Sequence, residues 1–186
     1  MEDKETKNLL VDLSKPEKKE RKTKTEKHVE TTIKIPKKRI ITTTEKWTAT
    51  NPETQYQYVL QIINQNIEDK KECELILQQI TQKIGGYKAQ DLNKNLYSEK
   101  DFVDLPKVLE LMKKCENKCF YCKKLVFVLY ENVREPRQWT LERIDNDFGH
   151  NKTNVEIACL DCNLHRRTMY HERYLFTKEL NIVKKV

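Results

Sequence analysis

The stretch WTLERIDNDFGHNKTNVEIACLDCN, residues 139–163, decides the fold. It closes on Cys159-Leu160-Asp161-Cys162, and a matching Cys119-Phe120-Tyr121-Cys122 lies 36 residues upstream. A CxxC turn delivers two thiolates from one tight loop, and two such turns supply the four soft ligands of a closed tetrahedral zinc site, structural rather than catalytic. Binding energy at such a site is folding energy. The alternative, two redox dithiols, lacks the βαβ pattern that usually surrounds them. Cys115 stands close to the first pair but is expected to end the preceding helix, and Cys73 reads as a buried bystander thiol.

Working outward, KKLVFVLY (123–130) is apolar, β-branched and aromatic, which signals a strand. QWTLERI (138–144) reads as its antiparallel partner across the turn ENVREPR, NVEIA (154–158) as a short third extended piece, and the chain from Cys159 onward as helical. Knuckle, hairpin and helix in that order describe an α+β domain of treble-clef type over 115–178. Upstream, residues 51–114 form a helical prefix. Asn51-Pro52 is a helix start. Val59, Leu60, Ile63 and Ile67, then Leu75, Ile76, Ile80 and Ile84, recur at helical spacing, with Gly85-Gly86 as the expected stop. These are two helices or one long bent helix, and residues 51–84 offer a face for a homodimer or docking partner. A third helix is expected over 104–114, with Val108, Leu109 and Met112 facing inward.

Residues 1–48 are rich in Lys, Glu and Thr without an apolar period, the composition of a disordered tail. The net charge of +7 is concentrated there: residues 1–40 hold 13 Lys/Arg against 8 Asp/Glu, leaving 23 against 21 for the rest. Such a tail favours polyanions through salt-sensitive attraction, or is simply solvated. Hydrophobic residues make up 37% and charged ones 35%, so a large core is not expected and a metal staple is. No apolar run approaches the roughly 20 residues of a membrane helix, and the N-terminus lacks the apolar core of a secretory signal. The expectation is an intracellular protein, cytoplasmic or nuclear, with reduced thiols and no membrane partner.

The run CFYC…LERIDN…GH…TNVEIACLDCNLHRR resembles the HNH endonuclease family of ββα-metal nucleases, in the form found in phages and large DNA viruses. The resemblance spans about residues 115–170. It implies hydrolysis of DNA phosphodiester bonds with magnesium or manganese, beside a structural zinc on Cys119, Cys122, Cys159 and Cys162. On the family pattern Glu142 and Asn163 are ligands of the catalytic metal and Asn154 orients the hairpin; Arg166 and Arg167, at the helix start, are phosphate contacts or a solvated helix face. The family's usual histidine base falls on Arg143, which stays protonated and cannot accept the proton. Arg143 is then a phosphate clamp or a salt-bridge partner. The base falls instead on His150, with His165 next and Asp145 a more remote option as base or extra ligand. Two other functions fit the same residues: a non-catalytic nucleic-acid-binding module that has lost its base, and a protein-interaction adaptor working through 51–84.

Overall fold

The side-chain oxygen of Asn51 accepts the Thr54 N–H at 2.7 Å and Pro52 fills the first helical position, so helix α1 runs Pro52–Asn64. The computed structural model describes residues 8–11, 36–39 and 51–184. The tail expected over 1–48 otherwise lies outside the described residues. Helix α2 spans Lys70–Asn93, so the prefix begins with two helices. The expected stop at Gly85-Gly86 is corrected: both glycines sit inside α2, with nothing within 4 Å of an added Cβ. A mid-helix Gly costs about 1 kcal/mol relative to Ala. Tyr87 and Asp91 beyond them are buried, and that burial outweighs the local cost. Helix α3, Leu105–Lys114, starts at Asp104, whose carboxylate accepts the Lys107 N–H at 3.0 Å. Val108, Leu111 and Met112 are buried on it, while Leu109 is half-buried.

Strand β1 (Asn8–Val11) pairs in parallel with β4 (Asn181–Lys184). Strands β2 (Trp139–Arg143) and β3 (Val155–Cys159) form an antiparallel pair in which Glu142 faces Glu156 and Trp139 faces Cys159. The expected hairpin between 123–130 and 138–144 is therefore replaced: the partner of β2 is the third extended piece, and the connection is 144–154. Residues 123–130 make only isolated bridges, because other groups take their backbone bonds. The Val128 and Leu129 N–H groups both donate to Gln55 Oε1, at 2.8 and 2.9 Å, and the Val126 N–H donates to the Asn117 carbonyl at 2.9 Å. The stretch is apolar because it is core: Val126, Val128 and Leu129 are buried. Helix α4 (Leu160–Arg166) follows β3 directly, ends where Arg167 takes a left-handed φ of 52°, and is followed by α5 (His171–Glu179).

The chain is thus α+β, with five helices and two small sheets among the described residues. One apolar cluster joins the prefix to the cysteine-bearing region, from Val59, Ile76 and Ile80 through Met112 to Trp139, Leu141 and Ile157. The apolar face over 51–84 packs into this cluster. Among the described residues no helix is long and apolar enough to cross a membrane.

Gln55 is fully buried and also donates its amide to the Leu129 carbonyl at 3.1 Å. Replacing Gln55 with Leu strands two buried N–H groups and weakens the satisfaction of that carbonyl, at about 1–3 kcal/mol per unsatisfied group. We expect urea unfolding of Gln55→Leu to show a loss of at least about 2 kcal/mol. A change within about 0.5 kcal/mol, the range of ordinary surface substitutions, would contradict the packing described.

Candidate metal centre and adjoining cavity

The first CxxC turns tightly because Lys123 takes a left-handed φ of 57°, which lets its N–H reach the Cys119 carbonyl at 3.0 Å. The Phe120 N–H donates to the Ile157 carbonyl at 2.7 Å, tying this turn to β3. The second CxxC lies at the β3–α4 junction, where Cys159 is the N-cap and its sulfur accepts the Cys162 N–H at 3.4 Å. The Sγ atoms of Cys119, Cys122, Cys159 and Cys162 all fall within 4.8 Å of one another, and Cys122 and Cys159 are 3.8 Å apart. Metal–sulfur bonds of about 2.3 Å at tetrahedral angles give sulfur–sulfur edges of about 3.8 Å. The four cysteines could therefore hold a metal ion such as zinc. With no cation among them, the four sulfurs share protons rather than all ionising. Its hydrogen bond with Cys119 pushes Cys159 up to about 12, Cys162 rises above the thiol range for the same first cause, and Cys119 falls below it through its bonds to both. Four thiolates cannot share so small a space without a cation. Cys115, as helix C-cap, directs its sulfur to the Met112 carbonyl, and Cys73 is buried between α1 and α2 with its sulfur near the Tyr58 carbonyl. Among the described residues this is the one cluster of three or more His, Cys, Asp or Glu ligand groups.

Beside this centre lies an open cavity of about 370 Å³, lined by the end of β2, the start of α4, the 144–154 connection and one face of α2. It brings together Glu142, Arg143, His150, Asn163 and Arg167, with Lys94 at its α2 side. Asn163 donates its amide to Thr140 Oγ1 at 3.2 Å, and Thr140 donates in turn to the Ala158 carbonyl at 2.9 Å. Because Asn163 directly follows Cys162, the sulfur cluster fixes the helix turn that presents it. Asn154 spans the connection, donating to the carbonyls of Asp145 and Gly149 at 2.9 and 3.0 Å and accepting the Asp145 N–H at 2.9 Å. Arg143 Nη1 donates to the Asn146 and Phe148 carbonyls, both at 3.0 Å, so one end of this guanidinium is committed to the same loop.

Two buried pairs border the cavity. Glu142 is 4% exposed and ion-paired with Arg166, which is 2% exposed and also donates to the carbonyls of Arg143 and Ile144 at 2.6 and 2.7 Å. Arg166 is thereby corrected from an outward phosphate contact to an inward tie between α4 and β2. Burial pushes the Glu142 carboxyl above its ordinary range, with Arg166 pulling the other way. The second pair is His150 with Asp91 of α2, at 2.8 Å between Nδ1 and Oδ1. Burial holds His150 below its ordinary 6.5, the Asp91 carboxylate opposing. His165 is not brought to the cavity: it is exposed and its Nδ1 lies 2.7 Å from the Asp161 carbonyl. Asp145 lines a different hollow and accepts the Asp147 N–H at 2.9 Å. Asp91, Tyr87, Thr140 and Lys94 were not foreseen. Thr140 lay within the decisive stretch; Tyr87 and Asp91 sit on α2 and Lys94 caps its C-terminal end, far away in sequence.

No protein-family model, no curated protein and no solved structure matches this chain.

Protein purified without chelator is expected to carry one zinc per chain by metal analysis. Stripping it should lower the thermal midpoint by well over the 4–8 °C that about 1 kcal/mol produces in a domain of 60–100 residues. Cys162→Ser should do the same. Metal-free protein with an unchanged midpoint would contradict a structural centre.

Proposed function

We propose that this chain is a metal-dependent DNA endonuclease of HNH type, with a structural zinc holding a treble-clef arrangement of the two CxxC turns, β2, β3 and α4. One observation carries the reading: a single cavity collects an imidazole, a carboxylate and a carboxamide, rimmed by Arg143, Arg167 and Lys94. Those cations suit a phosphate backbone.

Glu142 and Asn163 would hold the catalytic magnesium or manganese. The fit is adequate for a hard cation, which needs only one or two protein oxygens and completes its shell with water and phosphate. Arg166 engages Oε1 of Glu142, leaving Oε2, and the Asn163 amide bonds Thr140 through its nitrogen, leaving its carbonyl oxygen. When bound, such an ion would supply polarisation of the scissile phosphate and stabilisation of the leaving oxygen. The chain's own residues do the rest. His150, kept neutral by burial, takes the proton from a water molecule through Nε2 as the water oxygen attacks phosphorus. The bond to the 3′ oxygen breaks, that oxygen takes a proton from solvent water, and His150 gives its proton back to solvent, leaving a 3′-hydroxyl and a 5′-phosphate. Asn154 holds the loop that carries His150, and Arg167 and Lys94 meet flanking phosphates. A second reading, a binding module without catalysis, draws on the neutralisation of Glu142 by Arg166, which weakens its pull on a cation.

Supercoiled plasmid incubated with the protein and magnesium or manganese should be nicked. His150→Ala and Asn163→Ala should each slow cleavage by at least about 100-fold while DNA is still retained at low salt. The base works deprotonated, so the rate should rise with pH through an apparent pKa below 6.5 and be level by neutrality. Equal cutting by wild type and both variants would sink the enzyme reading, and salt-dependent binding without cleavage would establish the second one.

A further inference from the structure

We infer that Asp91, on α2 and 24 positions before the region that carries the resemblance, is the positioning residue that sets the tautomer and direction of the His150 imidazole. The helical prefix is then part of the cavity's working machinery. The inference rests on the reading of His150 as base, although its first test does not need cleavage.

The grip is two-pointed. Asp91 Oδ2 accepts the His150 backbone N–H at 2.6 Å, and Oδ1 lies 2.8 Å from His150 Nδ1. Asp91 is 0% exposed, and a buried carboxylate is held by donors. With Asp91 Oδ1 as the acceptor of this bond, Nδ1 carries the proton, and the neutral imidazole then keeps its lone pair on Nε2. Nε2 has no protein partner among the described residues, and His150 lines the cavity. The ring cannot turn away from this arrangement. Tyr87, one helical turn before Asp91, lies against it with centroids 4.4 Å apart, and the Tyr87 hydroxyl accepts the Leu141 N–H at 3.0 Å. The His150 carbonyl accepts the Val103 N–H at 2.9 Å. Gly149 completes the fit: a Cβ there would stand 2.4 Å from the Leu96 carbonyl oxygen and 2.8 Å from Asp91 Oδ2. The loop can approach α2 this closely because position 149 has no side chain.

A structural pair that merely pins the loop predicts something different from a positioning pair, and Asp91→Asn separates them. The His150 backbone N–H is a fixed donor, so the Asn carbonyl must turn to it and the Asn NH₂ must face Nδ1. The NH₂ donates, Nδ1 becomes the acceptor, and the proton moves to Nε2, where the base needs its lone pair. The shape is kept and the tautomer is reversed.

Nitrogen-15 NMR of the full zinc-loaded chain above neutral pH reads this directly. Wild type should show His150 protonated on Nδ1 and Asp91→Asn on Nε2. In the plasmid assay Asp91→Asn should lower kcat by about 10²–10⁴-fold, the usual worth of a general base, with KM nearly unchanged. Gly149→Ala, which pushes the loop off Asp91, should give a mixture of tautomers. Wild-type His150 found on Nε2, or as an even mixture, overturns the proposal even if Asp91→Asn does not fold. So does an unchanged tautomer with unchanged kcat in a folded variant. A chain that never cleaves DNA but shows the Nδ1 proton and its reversal would leave the positioning role standing and remove the nuclease reading.

Discussion

Four sulfur atoms held within 4.8 Å of one another are the constraint on which the rest of this structure depends. Two come from a turn that α3 leads into, and two from the junction of β3 and α4. Their meeting sets where α4 begins, hence where Asn163 sits, and through the Phe120–Ile157 hydrogen bond it sets the first turn against β3. A metal held at that point would substitute for apolar mass in a chain whose charged residues nearly equal its hydrophobic ones. It acts locally, however. The sulfur centre organises the floor of the cavity, while the walls are organised by buried charge.

The two buried pairs divide that labour. Arg166 ties the end of α4 to Glu142 and to two carbonyls at the end of β2, and Asp91 ties the 144–154 connection to α2. Removing one partner of a buried pair typically costs about 3–5 kcal/mol because a charge is left unanswered, so each pair specifies its contact sharply. Together they hold the carboxylate and the imidazole on one cavity although one residue lies on β2 and the other within the 144–154 connection. The same arrangement limits the site, since Arg166 leaves Glu142 with one oxygen for any further ligand.

What the sequence made legible was local. Asn51-Pro52 announces a helix start because a cap is a contact over three residues, and the paired CxxC spacing announces a metal cluster because each turn is self-contained. What stayed hidden was set at a distance. Residues 123–130 have strand composition, but composition states burial and not partner, and here Gln55 takes the backbone bonds that a strand would use. Gly85-Gly86 looks like a stop until Tyr87 and Asp91 are seen to be buried beyond it. Arg166 reads as a surface cation since nothing near it in sequence reveals the carboxylate it meets. Asp91, in a polar-looking helix, could be found only once the fold laid it against His150.

The most direct test of the account is a crystal structure of the zinc-loaded chain soaked with manganese, with the anomalous signals of the two metals separated by wavelength. The account predicts zinc among the four sulfurs and manganese in the cavity, about 2.0–2.2 Å from oxygens of Glu142 and Asn163, within a water molecule of His150 Nε2. Zinc in place with no manganese signal in the cavity, and Glu142 still closed on Arg166, would contradict it.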